Sequence, residues 1–378
     1  MHSCINTHSD AELGKSHMKK TLRDLGERKI VDQLIAPRFS YPGQDLIGVG
    51  DDCAVIPAPP AGCSLVFTTD PCPTPVVCIV DKPDFYHYGR FTVLINASDL
   101  AAMGATPIGL LVSTVMPEDM PTAEYERFLD GLAEASKEWG CPVLGGNIKD
   151  GPQFTATGSA LGYVDRSTVM LRTGAQPGDR VCVIGDMGLF WSSALLRMNP
   201  TAAVVDAHRE ALDRALYRPV PRLREGIALA STHGATACID SSDGVIGCLR
   251  ELAIRNGLDI VVNNASLIPH PAVAAVGDQL GIDYRKLMLS WGDWQLVCTV
   301  RPSAMKDTAD LMCGLAATFT DIGEIRRGNG GIVYLEDSGQ LREITNFASE
   351  RFSETSFFTH GLHAYVDLLR TEPLTRKP

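Results

Sequence analysis

Short runs of β-branched and apolar residues alternate with longer segments of helical periodicity along most of the chain. Strands are predicted over 64–70, where the run SLVFTTD ends at Asp70, and over the apolar run 107–116. A helix is predicted over 122–140, because apolar residues recur at helical spacing until Gly140. Strands that alternate with helices predict an α/β or α+β fold. Further strands are predicted over 142–146, 154–164, 236–240, 294–300 and 317–325, and further helices over 86–104, 220–232 and 244–257.

The length of 378 residues is too great for one compact core and predicts two domains. A Pro-Gly-Asp turn within 171–185 precedes a new apolar strand and marks the predicted boundary. We therefore expect an N-terminal domain over 21–170 and a C-terminal domain over 171–345. The polar segment 1–20 is predicted to be a flexible arm, and 346–378 a C-terminal extension.

The composition predicts a soluble cytoplasmic protein, since 45% of the residues are hydrophobic and 21% are charged. No apolar run reaches the roughly 20 residues that span a bilayer, so no membrane association is expected. A formal net charge of -11 argues against a nucleic-acid partner, which would need a basic face. The cysteines include no C-x-x-C pair, which favours reduced thiols over a zinc site or a disulfide framework.

Common nucleotide-binding and hydrolase motifs do not fit this chain. The GKS at 14–16 resembles the end of a phosphate-binding loop, but Ser9 stands where that loop needs glycine, and no predicted strand precedes it. The sequence contains no G-x-G-x-x-G, H-E-x-x-H or G-x-S-x-G. A common kinase or hydrolase is therefore not predicted.

Aspartates at predicted strand ends and helix starts are the residues best suited to chemistry. Magnesium prefers oxygen ligands and is usually held by a few carboxylates together with substrate phosphates. Taken singly, such aspartates are also typical of turns, and Ser98-Asp99 is typical of a helix N-cap. A helix start after Ser98 would offer N–H donors to an anion. The candidates are Asp51 and Asp52 in GVGDDCAV, Asp70, Asp99 in NASDLAAMGA, and Asp240 and Asp243 in IDSSDG.

The order of these motifs resembles thiamine-monophosphate kinase from about Glu27 to Val300. The matching segments are GERKIVDQLI, GVGDDCAVI, TTD, NASDLAAMGATP, LGG, LRTGAQPGD, YRPVPRLREG and IDSSDG. That family belongs to the superfamily of aminoimidazole ribonucleotide synthetase, selenophosphate synthetase and HypE. The resemblance implies a PurM-like two-domain fold and a homodimer. Strands of the N-terminal domain would pair with a second subunit into a β-barrel, and ATP would bind in the cleft before the C-terminal α/β domain.

The resemblance also implies which residues bind magnesium and ATP. No side-chain nucleophile is expected, since phosphoryl transfer asks mainly for positioning and charge neutralisation. The implied magnesium ligands are Asp52, Thr68, Thr69, Asp70, Asp99, Asp240 and Asp243. The implied ATP contacts are Arg172, Ser242 and a Gly145-Gly146 turn followed by Asn147.

Three segments depart from the family pattern. Asn147 stands where the kinase has aspartate, and Asp150 is near enough in sequence to replace it. The stretch after TTD reads PCPTPVVCIV and lacks the histidine and glutamate of the family. The segment SWGDWQL keeps Asp293 but brings in Trp291 and Trp294, which could stack on a flat substrate or belong to a buried core. Replacing hydrogen-bonding partners in a binding site predicts a different acceptor.

Three functions remain open at this point. The first is a kinase that acts on a small molecule other than thiamine monophosphate. The second is an ATP-dependent ligase or cyclase that works through a phosphorylated intermediate and releases ADP with free phosphate. The third is a nucleotide-binding protein without turnover, which the neutral Asn147 suggests. The products distinguish them, because a kinase leaves the phosphate on its acceptor and the third protein would form no ADP.

Overall fold

The computed structural model describes residues 20–39, 49, 53–202, 204–349, 352 and 356–376. It contains two β-sheets with helices packed against them, which confirms the predicted α/β class. The predicted arm, apart from Lys20, lies outside the described residues, and so does the Asp51-Asp52 pair. No described helix combines the length and the apolar character that a bilayer crossing requires.

The strands and helices of the described residues have the following bounds. The strands are β1 (Cys63–Pro71), β2 (Thr106–Met116), β3 (Val143–Asp150), β4 (Thr155–Asp165), β5 (Arg180–Ile184), β6 (Ala235–Asp240), β7 (Asp259–Asn263), β8 (Leu296–Val300), β9 (Phe319–Arg326), β10 (Val333–Asp337) and β11 (Gln340–Glu343). The helices are α1 (Leu22–Leu25), α2 (Glu27–Lys29), α3 (Val76–Val80), α4 (Phe85–Ala102), α5 (Thr122–Trp139), α6 (Leu189–Met198), α7 (Arg209–Tyr217), α8 (Leu223–Ser231), α9 (Val245–Asn256), α10 (Pro271–Leu280), α11 (Tyr284–Leu289), α12 (Met305–Gly314) and α13 (Phe357–Thr371).

The first sheet has the strand order β1-β4-β2-β3, with β2 and β3 parallel and the other pairs antiparallel. Helix α4 packs against the sheet, and α5 packs against α4. Because successive side chains of a strand point to opposite faces, Thr68 and Asp70 share the half-buried face of β1. Leu65 and Phe67 lie on the other face and are 53% and 67% exposed. That second face of the sheet is therefore apolar and open.

The second sheet has the strand order β11-β10-β7-β9-β5-β8-β6. Strands β5, β6 and β8 are buried on both faces, which explains their almost continuously apolar sequences. Val181 and Val183 of β5 face the core around Trp191, whereas Cys182 and Ile184 face the core shared with the first sheet. The two sheets are thus joined by a common core. The predicted boundary over 171–185 falls between β4 and β5, and the division into domains stays a prediction.

Candidate functional site

A cavity of about 370 Å³ lies where α4 meets the loops at one end of the second sheet. Strands β6 and β8 are antiparallel neighbours, so the loop that follows β6 adjoins the loop that precedes β8. The first loop carries Ser242 and Asp243, and the second carries Trp291 and Trp294. The remaining lining residues are Asp70, Pro71, Pro73, Thr74, Val76, Phe91, Ile95, Asp99, Asp240 and Phe357. The cavity therefore has an acidic side and an aromatic side.

The acidic side is assembled from β1, α4 and β6 by two side-chain hydrogen bonds. The Thr68 hydroxyl donates to Asp99 Oδ2 at 2.5 Å. The Ser98 hydroxyl donates to Asp240 Oδ2 at 3.0 Å, and this bond links α4 to the end of β6. Three segments that are far apart in the sequence are thereby fixed within one site.

Helix α4 begins at Phe85 and has Asp84 as its N-cap, whose carboxylate accepts from the Tyr86 N–H at 2.9 Å. Ser98 and Asp99 consequently lie in the last turns of this helix. The expectation of a helix N-cap at Ser98-Asp99, with free N–H donors after it, was wrong. The physical reason is that residues from Phe85 onward already continue as one helix, so both side chains act through their own oxygen atoms.

Burial dominates the electrostatics of the acidic side. It raises the pKa of Asp99, while the contacts of Asp99 with Thr68 and Asp70 and the charge of Arg172 oppose that shift. Asp240 is 3% exposed, and burial, followed by the charge of Asp99, raises its pKa to about 7. The Ser98 hydrogen bond opposes this shift. A cation bound between these carboxylates would stabilise their ionised forms.

The chemistry of these side chains fits magnesium. Asp70, Asp99, Asp240 and Asp243 offer only oxygen donors, which is the preference of this ion. Within the described part of the chain, no three His, Cys, Asp or Glu side chains lie close enough to form a metal centre by themselves. Asp52, another predicted ligand, lies outside that part. A magnesium ion here would therefore complete its coordination with phosphate oxygens and water.

Thr69 is not one of the side chains that face the cavity. It is the residue of β1 between Thr68 and Asp70, so its side chain points to the exposed face of the sheet. There its hydroxyl donates to the Gly158 carbonyl at 3.0 Å and lies 2.9 Å from the Ser159 hydroxyl. The strand thus brings Thr68 and Asp70 to the cavity and takes the Thr69 hydroxyl away from it.

The Gly145-Gly146 pair lies within β3 and does not form the expected turn. A Cβ atom at Gly146 would come within 1.8 Å of the Val112 carbonyl oxygen, so glycine allows β3 to pair closely with β2. Neither glycine nor Asn147 lines the cavity among the described residues. Asp150 is an odd number of residues from Asn147 and about 10 Å along the strand, so the two side chains point to opposite faces. Asp150 therefore does not share the face of β3 on which Asn147 lies.

Arg172 and Ser242 lie near the carboxylates. Ser242 is exposed and lines the cavity beside Asp243. The Arg172 guanidinium is half exposed, lies 3.6 Å from Glu251 of α9, and acts electrostatically on Asp240. Ser242 thus lies at the rim of the cavity, whereas Arg172 is not among the described residues that line it, and the ATP contacts implied for both stay a prediction.

The aromatic side contains two of the three predicted substrate residues. Trp291 and Trp294 line the cavity and are each at least nine-tenths buried. Asp293 does not line it, because its carboxylate caps α6 by accepting the N–H groups of Gly188 at 2.6 Å and Phe190 at 2.8 Å. Burial still raises the pKa of Asp293 to about 7, against the effect of these two bonds. The structure thus gives Asp293 a capping role.

Several lining residues were not predicted from the sequence. Phe91 and Ile95 precede Asp99 at four-residue intervals on α4, so one face of this helix supplies all three. This four-residue spacing could have predicted that Phe91 and Ile95 lie on the same face of the helix as Asp99. Phe357 begins α13 in the predicted C-terminal extension, and no local sequence pattern links it to the cavity.

The fold and the order of motifs are similar to those of proteins related to aminoimidazole ribonucleotide synthetase. A family model described as AIR synthase related protein, N-terminal domain, matches residues 50–164, which contain Asp70 and Asp99. A thiamine-monophosphate kinase of Mycobacterium tuberculosis is 31% identical over 285 residues, which cover 75% of this chain and 83% of that relative. The chain belongs to the thiamine-monophosphate kinase family.

Solved structures agree with this assignment. A crystal structure of thiamine-monophosphate kinase from Stenotrophomonas maltophilia K279a is 28% identical, has a TM-score of 0.68, and covers 79% of this chain and 93% of its own. A structure described as AaThiL complexed with AMPPCP and TMP has a TM-score of 0.66 at 24% identity and covers 87% and 98% of the two chains. The predicted family is confirmed, and with it the prediction of an ATP-dependent enzyme of the kinase type.

Proposed function

We propose that the protein is a magnesium-dependent phosphotransferase that moves the terminal phosphoryl group of ATP to a small molecule other than thiamine monophosphate. The observation that carries the proposal is one cavity with carboxylates on one side and aromatic rings on the other. Family membership supports the use of ATP, since the relatives are thiamine-monophosphate kinases and a structure of the same fold contains AMPPCP together with TMP.

The acidic side suits the phosphate end of ATP. Asp70, Asp99 and Asp240 would hold magnesium, which supplies charge neutralisation at the phosphates when it is bound. In the reaction, a hydroxyl oxygen or amine nitrogen of the acceptor bonds to the terminal phosphorus as the bond from that phosphorus to the ADP oxygen breaks, and the acceptor releases its proton to solvent. The protein positions the two reactants, and no side chain forms a covalent bond.

The acceptor side supports a substrate other than thiamine monophosphate. The stretch after Asp70 departs from the family pattern, and Pro71, Pro73 and Val76 of this stretch line the cavity. Trp291 lines it as well, from the second departing segment. Because a site discriminates through the partners that it offers, replacing polar partners by apolar ones should change which acceptor binds.

The proposal includes a homodimer that forms through the open face of the first sheet. Leu65, Phe67 and Leu111 lie on this sheet and are 53%, 67% and 40% exposed. Exposed apolar patches of this kind typically mark association surfaces. The sheet edges β1 and β3 could then pair with strands of a second copy, as the family resemblance implies. A location in the cytoplasm is also part of the proposal, because reduced cysteines are typical of that compartment.

The test measures ADP formation and determines which molecule carries the transferred phosphate. The full chain is incubated with magnesium, ATP and a panel of small alcohols, acids and amines, with thiamine monophosphate as one member. ADP formation identifies the acceptor, and phosphorus NMR shows whether the phosphate is on it. We expect ADP with an acceptor other than thiamine monophosphate, with the phosphate bound covalently to that acceptor.

Asp240→Asn tests the acidic side. This change should lower ADP formation about 100-fold or more, because it removes a charge that holds the magnesium. Asp310→Asn is the control, since Asp310 is 68% exposed on α12 and pairs only with Lys306. Free phosphate in place of a phosphorylated acceptor would support the ligase instead. Fastest turnover of thiamine monophosphate would contradict the proposed change of acceptor, and unchanged activity of Asp240→Asn would contradict the metal site.

A further inference from the structure

The aromatic side of the cavity consists of Phe91, Trp291, Trp294 and Phe357. Phe91 and Trp294 pack edge to face, with ring centroids 5.4 Å apart and an angle of 80° between the planes. Trp291 and Phe357 have centroids 5.0 Å apart. The rings come from α4, the loop before β8 and α13, so three separate elements converge on one aromatic wall.

The loop that carries both tryptophans is attached to the loop that carries the carboxylates. The Ser241 N–H donates to the Gln295 carbonyl at 3.0 Å, and the Gln295 N–H donates to the Ser241 hydroxyl at 2.9 Å. The Gln295 amide also donates to the Asp186 carbonyl at 2.9 Å. The aromatic wall is therefore held at a fixed distance from the carboxylates, as a site for two reactants requires.

Trp294 has a strained backbone. Its φ angle is 54°, in the left-handed region that residues other than glycine seldom adopt. The strain is maintained by the Asp293 cap of α6 and by Gly292, where a Cβ atom would come within 2.1 Å of the Phe190 ring. Backbone strain that persists in a folded chain is typical of binding sites.

The charge around the wall limits what it can bind. The charged side chains that line the cavity are all carboxylates in the described part of the chain: Asp70, Asp99, Asp240 and Asp243. The side chains between them and the rings are apolar or neutral, including Pro73, Thr74 and Ile95. An anionic group on the part of the acceptor that lies against the rings would lose its hydration and would meet no cationic side chain among the described residues that line the cavity.

We propose that the aromatic wall binds a flat, ring-containing acceptor that carries no anionic group, and that Trp294 determines this specificity. The inference rests on the proposed phosphotransferase function and names the chemical class of its acceptor. The ring stacks on Trp294, and neutral or cationic acceptors are accepted because aromatic faces attract both. The hydroxyl or amine that receives the phosphoryl group then points toward the carboxylates.

The test uses three indoles that share one ring and differ in charge. Indole-3-ethanol is neutral, tryptamine is cationic and indole-3-acetate is anionic. Each is titrated by calorimetry into the full chain in the presence of magnesium and AMPPCP, with thiamine monophosphate as a fourth ligand. We expect indole-3-ethanol or tryptamine to bind at least about tenfold more tightly than indole-3-acetate and thiamine monophosphate.

Variants of Trp294 then test the role of the ring. Trp294→Ala should weaken binding of the preferred indole about tenfold or more, and Trp294→Phe should weaken it less, because a ring remains. Tyr334→Leu is the control and should leave the affinity unchanged, since Tyr334 lies on β10, at the opposite side of the second sheet from β6, and does not line the cavity among the described residues. If circular dichroism shows that Trp294→Ala does not fold, Phe91→Ala takes its place.

Several outcomes would overturn the inference. They are tightest binding of an anionic ligand, no binding of any indole, and unchanged affinity in a folded Trp294→Ala. Loss of AMPPCP binding in that variant would assign Trp294 to the nucleotide instead. Failure of the wild-type chain to bind AMPPCP would overturn the proposed function and this inference together, whereas the indole results alone concern only the acceptor class.

Discussion

Asp240 occupies an environment that suits a carboxylate bound to a cation. Its side chain accepts the Ser98 hydroxyl at 3.0 Å, and its backbone carbonyl accepts the Cys248 thiol at 3.1 Å. Burial raises its pKa to about 7, so without a cation the ionised form is costly at neutral pH. Burial of the ionised carboxylate destabilises the folded chain, and binding of a divalent ion offsets this destabilisation.

This residue makes the stability of the metal-free protein depend on pH. The pKa of Asp240 in the folded chain, about 7, lies above its ordinary value of 3.8, so the folded state holds the proton more tightly. The protonated Asp240 side chain therefore stabilises the folded chain fully below pH 3.8, and this contribution is lost as the pH rises through about 7. We expect Asp240 to lower the free energy of unfolding by about 2 kcal/mol between about pH 5.5 and pH 8, measured by urea denaturation without magnesium as the difference between the wild type and Asp240→Asn.

Magnesium should reverse this loss at about pH 8, because the ion binds the ionised carboxylates of the folded chain. Asp293, whose pKa is also raised to about 7, contributes to the pH dependence but caps a helix, so its share should not respond to magnesium. Asp240→Asn is the matched variant, since asparagine keeps an oxygen for Ser98. A magnesium response that persists undiminished in this variant would contradict the role of Asp240.

Among the elements, strand β1 decides which of three consecutive polar residues reach the site. Thr68 and Asp70 lie on the face toward α4, and Thr69 lies on the exposed face. The resemblance implied all three as ligands, because a motif in a sequence does not show side-chain direction. Strand alternation, which has a period of two residues, separates them.

A pair of matched substitutions tests this separation. Thr68→Val removes the hydroxyl that donates to Asp99 at 2.5 Å and should weaken magnesium affinity about tenfold to 100-fold, as the loss of other outer-shell partners does. Thr69→Val removes only contacts on the exposed face and should change the affinity less than about twofold. The measurement is the magnesium dependence of ADP formation. A larger effect at Thr69 would show that β1 presents the opposite face to the ion.

The elements also show what the sequence could predict. The helix predicted over 122–140 is Thr122–Trp139, and the strand predicted over 107–116 is Thr106–Met116, because long periodic segments carry a clear signal. The helix predicted over 86–104 is Phe85–Ala102 and contains Ser98, so the N-cap interpretation of Ser98-Asp99 was wrong because it conflicted with that helix. The strand predicted over 142–146 is β3, but it continues to Asp150 through the expected Gly145-Gly146 turn, because a glycine in a strand also marks close backbone pairing.

At the scale of the whole molecule, the sequence predicted that scattered aspartates converge because the order of the motifs that contain them resembles a family. The aromatic wall could be foreseen only in part. Trp291 and Trp294 were named, but Phe357 reaches the cavity through the packing of α13 against Trp191 and Trp291. Contacts between elements that are distant in the sequence produce no local sequence pattern, so they could be identified only in the structure.

The open face of the first sheet makes a prediction about assembly. We expect the chain to be a dimer in solution, and Phe67→Glu to shift it to a monomer, because a charge would be buried where two apolar faces meet. Light scattering coupled to size-exclusion chromatography measures the mass. Ile268→Glu is the control, since Ile268 is 78% exposed but lies on the other half of the chain. A monomeric wild type, or a dimeric Phe67→Glu, would refute the interface.

The paired hydrogen bonds between Ser241 and Gln295 have a consequence for protein engineering. Replacing the tryptophan loop alone, in order to change the substrate, would break the hydrogen bonds that align this loop with the loop after β6. Residues 290–296 and residues 240–244 must therefore be replaced together. Libraries that randomise both stretches together should yield active clones more often than libraries that vary either stretch separately.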